Sequence, residues 1–226
     1  MKVKQNRLSV WASLCSIHTI ACLKFNPNRA KFLQAKLLSS EKILLGETLI
    51  FTDDQWIKIL KKELALPKLN NLFLSPLKSI LCLFHLWQIG KFYHSSNNHP
   101  CAQILLAGSL DAICTYLNCH IFANKIFESE QAYSLSVKID GSESAFLITF
   151  ETEHGWIYKT CKKEDLANAS LTFKNHIIAC EAAKGMIDPW DALINGDILL
   201  AGRITMLDKL GYVSRMVQKE IPRPPC

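Results

Sequence analysis

The amino-acid sequence predicts an α+β protein: a five-stranded, mainly antiparallel sheet covered on one face by helices, with a mostly helical N-terminal extension. Three observations predict this fold class. Apolar residues recur at helical spacing through residues 101–127. From residue 133 the period changes to strict alternation, which is typical of half-buried strands. Residues 169–217 then combine short strands with helix-period segments, and the 226 residues, 49% of them hydrophobic, are enough to bury a core.

The predicted strands are short and are separated by turn residues. Asp140-Gly141 favours a tight turn after the first strand, and His154-Gly155 closes the second. Because these connections are short, we expect consecutive strands to pair as an antiparallel meander with one face available to helices. The five predicted strands are residues 133–139, 144–151, 156–161, 169–173 and 198–201.

Helices are predicted on both sides of the last strand. Residues 174–184 form one helix, with Asn175 as its cap, and Asp188-Pro189 begins a shorter one by the rule that proline favours the first helical turn. Earlier, Gly108-Ser109 is expected to divide residues 101–127 into two helices. The closing helix carries an apolar stripe at i, i+4, i+7 and i+11: Met206, Leu210, Val213 and Val217.

Residues 1–95 are predicted to be a separate, basic and mainly helical region of unknown function. One strand is expected at residues 47–51, followed by a helix that begins at the capping sequence Thr52 to Gln55. The apolar segment 77–89 follows the helix-start pair Ser75-Pro76. It is too short to span a bilayer, but it can lie on one or pack in a core.

Charge is distributed unevenly along the chain. Residues 1–95 carry fourteen Lys and Arg against five acids, a net charge of +9, whereas residues 96–226 carry twelve against fifteen, a net charge of −3. A basic front favours anionic membranes or nucleic acid, and a merely solvated basic face explains it equally well. We expect no nucleic acid as partner, since no RNA-binding or DNA-binding signature is present. An anionic membrane surface and a protein partner bound through residues 1–95 remain alternatives.

The first apolar segment, residues 8–23, has two interpretations. It ends in Thr19 to Cys22, which resembles a lipoprotein cleavage box and would indicate a cleaved signal. The alternative is an amphipathic or buried helix that ends near Lys24.

Nine cysteines occur at irregular spacing without a Cys-x-x-Cys pair, which favours reduced thiols and a cytoplasmic protein, at most peripheral at the inner membrane face. Cys114, Cys119 and His120 lack the second ligand pair of a zinc site. We therefore predict neither a metal site nor a cofactor.

The sequence predicts no enzyme activity. It contains no nucleophile elbow, phosphate-binding loop, dinucleotide fingerprint or metalloprotease motif. Ser109 and Asp111 lie close together but without a matched histidine, and His154 and His176 fall at element ends where surface or capping roles are common. No catalytic residue is predicted.

The order helix, strand meander, helix, Asp-Pro helix, glycine-bracketed strand and closing helix resembles the sterol-carrier-protein-2-like domain family. The resemblance covers about residues 115–220, within a domain predicted at 100–222, and its most specific part is 169–210. It implies a small α+β module that encloses a lipid-sized apolar cavity. The chain ends Arg223-Pro-Pro-Cys226 and lacks the family's peroxisomal tripeptide, so a bacterial-type lipid or isoprenoid binder fits better than a peroxisomal carrier.

From this resemblance we predict a non-catalytic lipid or isoprenoid carrier that docks on membranes through its basic front. The alternative is a scaffold that keeps the fold with a filled cavity, such as an accessory factor in quinone biosynthesis. Periodicity alone does not separate a cavity lining from an ordinary core. The predicted lining residues are Met186, Ile187, Trp190, Leu193, Ile194, Met206, Leu210, Val213 and Val217.

Overall fold

The computed structural model describes residues 2–38, 41–61, 63, 65–67, 75–95, 97–162 and 167–221. The chain divides into two compact units, residues 1–96 with 218–226, and residues 97–217. Helices accompany one three-stranded and one five-stranded sheet, which confirms the α+β fold class. Residue 222, the predicted end of the second domain, lies outside the described residues.

The first unit combines helices with an antiparallel sheet in which β2 is central. The predicted capping box is confirmed: the Gln55 N–H donates to Thr52 Oγ1 at 3.2 Å, and the Thr52 N–H donates to Gln55 Oε1 at 2.9 Å. In chain order the elements are α1 (Lys2–Lys24), α2 (Pro27–Ala30), a 3₁₀ turn (Lys31–Leu33), β1 (Ala35–Leu38), β2 (Lys42–Leu45), β3 (Leu49–Thr52), α3 (Asp53–Leu60) and α4 (Pro76–Ser95).

The described residues of the first unit include three strands where the sequence predicted one. β3 is the predicted strand, shifted slightly toward the C-terminus, and β1 and β2 were missed. Each missed strand has only four residues, too few to show a period, and depends on cross-strand pairing with its neighbours. Gly46 and Glu47 turn the chain between β2 and β3 at φ values of 59° and 64°.

The apolar segment 8–23 lies within α1 and contributes to the core of the first unit. Val10, Leu14 and Ile20 are buried, and the indole N–H of Trp56 donates to Ser13 Oγ at 2.8 Å. In this structure the segment is therefore a helix with a buried face, as the second of its two interpretations predicted.

The second unit closely follows the predicted element order. The predicted cap Asn175 and the predicted helix start at Asp188-Pro189 are confirmed. The Oδ1 atoms of Asn175 and Asp188 each accept backbone N–H groups of the helix that follows. Its elements are α5 (His99–Cys119), α6 (Ile121–Phe127), a 3₁₀ turn (Glu128–Glu130), β4 (Leu135–Ile139), β5 (Ser144–Glu151), β6 (Gly155–Lys162), β7 (Ala169–Phe173), α7 (His176–Ala183), α8 (Pro189–Ile194), β8 (Ile198–Gly202) and α9 (Ile204–Glu220).

The strand order of the second sheet is β6-β5-β4-β7-β8, so the predicted meander holds only for β4, β5 and β6. β7 does not pair with β6. It lies parallel to β4, with Leu135 opposite Ala169 and Ile139 opposite Phe173. This arrangement places β4, whose side chains are almost all buried, at the centre of the sheet, where both of its edges are hydrogen-bonded.

The predicted break at Gly108-Ser109 is wrong, because α5 runs without interruption from His99 to Cys119. Gly108 is buried, and Ser109 Oγ donates to the Leu106 carbonyl one turn earlier at 2.9 Å. A helix tolerates both residues when packing holds it and the hydroxyl has a partner inside the helix.

A side chain at the end of α5 forms hydrogen bonds with the backbone of the edge strand β6. The Asn118 side chain accepts from the Trp156 N–H at 2.7 Å and donates to the Trp156 carbonyl at 2.8 Å, as a neighbouring strand would. Gly155 permits this approach, because a Cβ there would lie 2.4 Å from Asn118 Oδ1. The Asn118 clamp therefore ties the first helix of the unit to the sheet edge.

We expect Asn118→Ala to lower the free energy of unfolding by about 1–3 kcal/mol, because it leaves two backbone groups of a buried residue without partners. A urea titration followed by circular dichroism measures this. Ser109→Ala on the same helix is the control and should cost less than about 1 kcal/mol, since the Ser109 hydroxyl bonds only within its own helix. Equal losses in the two variants would contradict the clamp.

Candidate functional site: an open apolar edge of the second sheet

One face of the second sheet carries the core of the unit. The cross-strand register aligns one row of residues on this face: Phe146, Val137, Leu171 and Leu200, on β5, β4, β7 and β8. Helices α5 and α7 cover this face, with α5 in contact with β6 and α7 in contact with β7. The apolar residues of β4 are buried, as expected for a sheet packed beneath helices.

Burial along this row falls toward the β8 edge of the sheet. Along the same row Val137 is buried, Leu171 is half-buried and Leu200 is 41% exposed. On α8, which contacts β8, Trp190 and Ile194 are 64% and 81% exposed. We call the exposed apolar residues of this region the open-edge surface: Met186, Trp190, Ile194, Leu200 and Ile204.

The local sequence explains why α8 presents apolar side chains to water. Asp188 caps the helix, Pro189 begins it, and only Ala192 is buried beneath it. The chain then reverses at Gly196, where φ is +69°, and the Asp197 N–H donates to the Ala192 carbonyl at 2.8 Å. With so short a helix and a single small buried residue, the larger apolar residues have no core to enter.

The predicted lining residues fall into two groups. Those on and just before α8 lie at the surface, with Met186, Trp190 and Ile194 exposed and Ile187 and Leu193 half-buried. Those on α9 lie inside, and the four residues of its stripe are all buried: Met206, Leu210, Val213 and Val217. Their role in lining a cavity remains a prediction.

A buried carboxylate between two cations was missed by the sequence analysis. Glu130, in the 3₁₀ turn after α6, accepts from Arg203 Nε and from Lys209 Nζ, both at 2.6 Å. The Arg203 guanidinium also lies 3.8 Å from the ring centroid of Tyr133. Burial acts to raise the pKa of Glu130, but the hydrogen bonds from Arg203 and Lys209 outweigh it and hold that pKa below its ordinary value.

This Glu130 cluster has a structural role beside the open-edge surface. It anchors the start of α9 directly after β8, because Arg203 and Lys209 both belong to that segment. Arg203 and Lys209 lie more than seventy residues from Glu130 in sequence, so no local sequence pattern indicates the cluster.

The cysteine and histidine residues that the sequence singled out serve the fold. Cys114 is buried on α5, and burial raises the pKa of its thiol, which keeps it protonated and poorly nucleophilic. Cys119 is exposed, and His120 caps α6 by accepting the Ala123 N–H at 3.2 Å. Over the ranges that the structure describes, no three His, Cys, Asp or Glu side chains are grouped as metal ligands. Cys226 lies outside those ranges.

The other polar residues considered for catalysis do not come together. Asp188 caps α8, and Ser109 bonds its own helix. The rings of His176 and His99 face each other edge to face at 6.4 Å, and His154 is exposed in the turn before β6.

Comparisons with known proteins give matches among solved structures. No protein-family model and no curated protein sequence matches the chain. One similar structure is a conserved hypothetical protein of Thermus thermophilus, described as a candidate sterol carrier protein. It is 19% identical with a TM-score of 0.38, and the match covers 52% of this chain and 89% of that one.

A second similar structure is the sterol carrier protein domain 2 of Helicoverpa armigera. It is 15% identical with a TM-score of 0.37, and the match covers 52% of this chain and 88% of that one. Each of the two matches covers about half of this chain and most of the other.

Proposed function

We propose that the second unit binds a lipid or isoprenoid chain at the open-edge surface and does so without catalysis. The observation that carries this proposal is the decrease in side-chain burial along one row of the sheet, from buried Val137 to 41% exposed Leu200. The exposed side chains of α8 lie beside this end of the row. Apolar surface gains about 25 cal/mol per Å² when it leaves water, so an apolar chain laid along this edge would be stabilised.

The charges around the open-edge surface favour a ligand with an uncharged head. Asp188 and Asp191 lie on the first turn of α8, and Asp197 follows it, paired with Lys174 at 3.3 Å. Beside α8, a fatty-acid carboxylate or a phospholipid phosphate would meet these three aspartates against the one cation Lys174, whereas Arg203 and Lys209 are held by Glu130. An isoprenoid with a neutral polar head would not be repelled, and it is the ligand class that we favour.

Ile194→Asp tests this proposal in the full-length, delipidated protein. We expect a fluorescent prenyl-alcohol probe to bind the wild type saturably and to bind the variant roughly tenfold or more weakly, because a charge would enter the apolar contact. Stability should change little, since Ile194 is 81% exposed. A fluorescence titration and a urea titration of each protein provide the two readouts.

Ile121→Asp is the matched control, because Ile121 is 88% exposed on α6 of the same unit and lies outside the open-edge surface. It should bind the probe as the wild type does. Equal weakening in both variants, or no saturable binding by the wild type, would overturn the proposal and leave the scaffold function instead. Native mass spectrometry before and after organic extraction would show whether a ligand co-purifies.

A further inference from the structure

Helix α4 of the first unit is apolar on the side that faces water. Its exposed residues recur at helical spacing and form a continuous stripe, and the rings of Phe84 and Trp87 are stacked with centroids 5.9 Å apart. We call this stripe the α4 apolar face: Leu77, Ile80, Leu81, Leu83, Phe84 and Trp87.

The opposite side of α4 is buried and partly polar. Ser79, Cys82 and His85 lie on it, with Cys82 Sγ 3.0 Å from the Phe32 carbonyl and the His85 ring against Phe32 at a centroid distance of 5.7 Å. An ordinary surface helix turns its apolar stripe inward and its polar side outward. The buried side of α4 also carries Ile89 and Phe92, so the helix is apolar on both sides, and its apolar outer face marks a docking surface.

The charged residues of α4, and of two elements in contact with it, are positive. Lys78 and Lys91 belong to α4, and Lys91 Nζ lies 5.7 Å from the Trp87 ring centroid. Helix α1 and the 3₁₀ turn at Lys31–Leu33, both in contact with α4, contribute Lys24 and Lys31. Residues 1–40 and 64–95 contain ten Lys and Arg and no Asp or Glu, because every acid of the front falls within residues 41–63.

This charge pattern distinguishes between two possible occupants. A second copy of the chain, docked face to face, would bring Lys78 and Lys91 against the same positive surface, without carboxylates from these segments to compensate. A bilayer with anionic headgroups offers negative charge at the rim and an apolar interior beneath it. A lysine whose ammonium group lies over an aromatic ring, as Lys91 does over Trp87, suits such a boundary, as does an exposed tryptophan.

The geometry also indicates how α4 would meet a bilayer. One side of the helix is buried in the first unit, so α4 can lie in the membrane plane but cannot cross it as it stands. Among the described helices, α5 alone has the length and composition of a membrane span, and 61% of its apolar window is buried inside the protein.

We propose that the α4 apolar face lies flat in the headgroup boundary of membranes that contain anionic lipid, with Lys78 and Lys91 on the phosphates. The docking surface belongs to the first unit and does not depend on what the second unit binds. It supplies a physical basis for the membrane association that the basic front predicts.

Flotation of the full-length protein with lipid vesicles tests this proposal. We expect the wild type to float with vesicles of phosphatidylcholine and phosphatidylglycerol and not with phosphatidylcholine alone. The double variant Ile80→Ser/Trp87→Ser should partition roughly tenfold or more weakly, because both side chains are 60% exposed on the inserting face. Ile121→Ser/Phe122→Ser, a matched exposed pair in the second unit, should float as the wild type does.

A second measurement does not depend on a disruptive variant. Trp87→Phe keeps the face apolar and should float normally, but brominated lipid should quench less tryptophan fluorescence in this variant than in the wild type. The proposal is overturned if the wild type does not float, if the Ile80/Trp87 double variant floats equally well, or if Trp87→Phe is quenched as much as the wild type. Equal binding to neutral vesicles would overturn the role of charge. If light scattering shows a wild-type dimer and Ile80→Ser/Trp87→Ser abolishes it, the α4 apolar face binds a second copy of the chain instead.

Discussion

Glu130→Gln is expected to lower the free energy of unfolding at neutral pH by about 3 kcal/mol, because it removes the carboxylate that two cations share in a buried position. The Glu130 side chain is 1% exposed, whereas those of Arg203 and Lys209 remain partly in water. The loss should therefore lie near the lower end of the range for broken buried pairs. Urea titration of both proteins measures it.

The pH dependence gives an independent readout. The pKa of folded Glu130 lies below its ordinary value of 4.5, so its contribution is complete above that value and is lost as the pH falls through the folded-state pKa. The difference between wild type and Glu130→Gln should accordingly shrink as the solution is acidified. A difference that stays constant under acid would contradict the ionised cluster.

Glu151→Gln is the matched control for charge. Glu151 pairs with Lys159 on the surface of the same unit, and both side chains are substantially exposed. Surface pairs of this kind contribute about 0–1 kcal/mol, so this variant should remain close to wild type. If both variants lose a comparable free energy of unfolding, the loss results from the change in net charge and not from the buried position of Glu130.

Gly202→Ala is expected to cost about 3 kcal/mol or more, since it combines backbone strain with a steric clash. Gly202 has φ +84°, and a Cβ there would lie 2.2 Å from the Asn168 carbonyl oxygen. That oxygen accepts the Arg203 N–H at 2.9 Å, so the backbone cannot withdraw without breaking this bond. Thermal and urea unfolding measure the loss.

Gly196→Ala separates the two causes. Gly196 has φ +69° and open space around the position of a Cβ, so this variant should show only the left-handed strain, about 1–2 kcal/mol.

We also expect Gly202→Ala and Glu130→Gln together to cost less than the sum of the two, because Gly202 sets the turn that brings Arg203 to Glu130. Equal losses at the two glycines, or strict additivity, would contradict this account.

Local signals in the sequence were sufficient for much of the second unit. The sequence predicted β5 and β7 with the bounds that the structure has. It also predicted the cap Asn175 and the start of a helix at Asp188-Pro189. These signals succeed because the side-chain period of a strand and the unpaired N–H groups of a first helical turn are properties of a few neighbouring residues.

The candidate surfaces could be predicted only in part. The sequence identified the apolar residues of α4 and α8 but not which of them face water, since an apolar stripe has the same period whether it enters a core or leaves it. Exposure of Trp87 and Ile194 depends on what other elements cover, and that is decided by the packing of the whole unit.

By itself, then, the sequence determined the α+β class, the order of elements in the second unit, the Asn175 cap and the positive charge of the front. Only the tertiary structure decided that β7 lies parallel to β4, that Glu130 joins Arg203 and Lys209, and that α4 is apolar on its outer side. The physical reason is range. Periodicity and capping are set within one or two turns of chain, whereas strand partners, ion pairs and burial join residues whose separation in sequence carries no local signal.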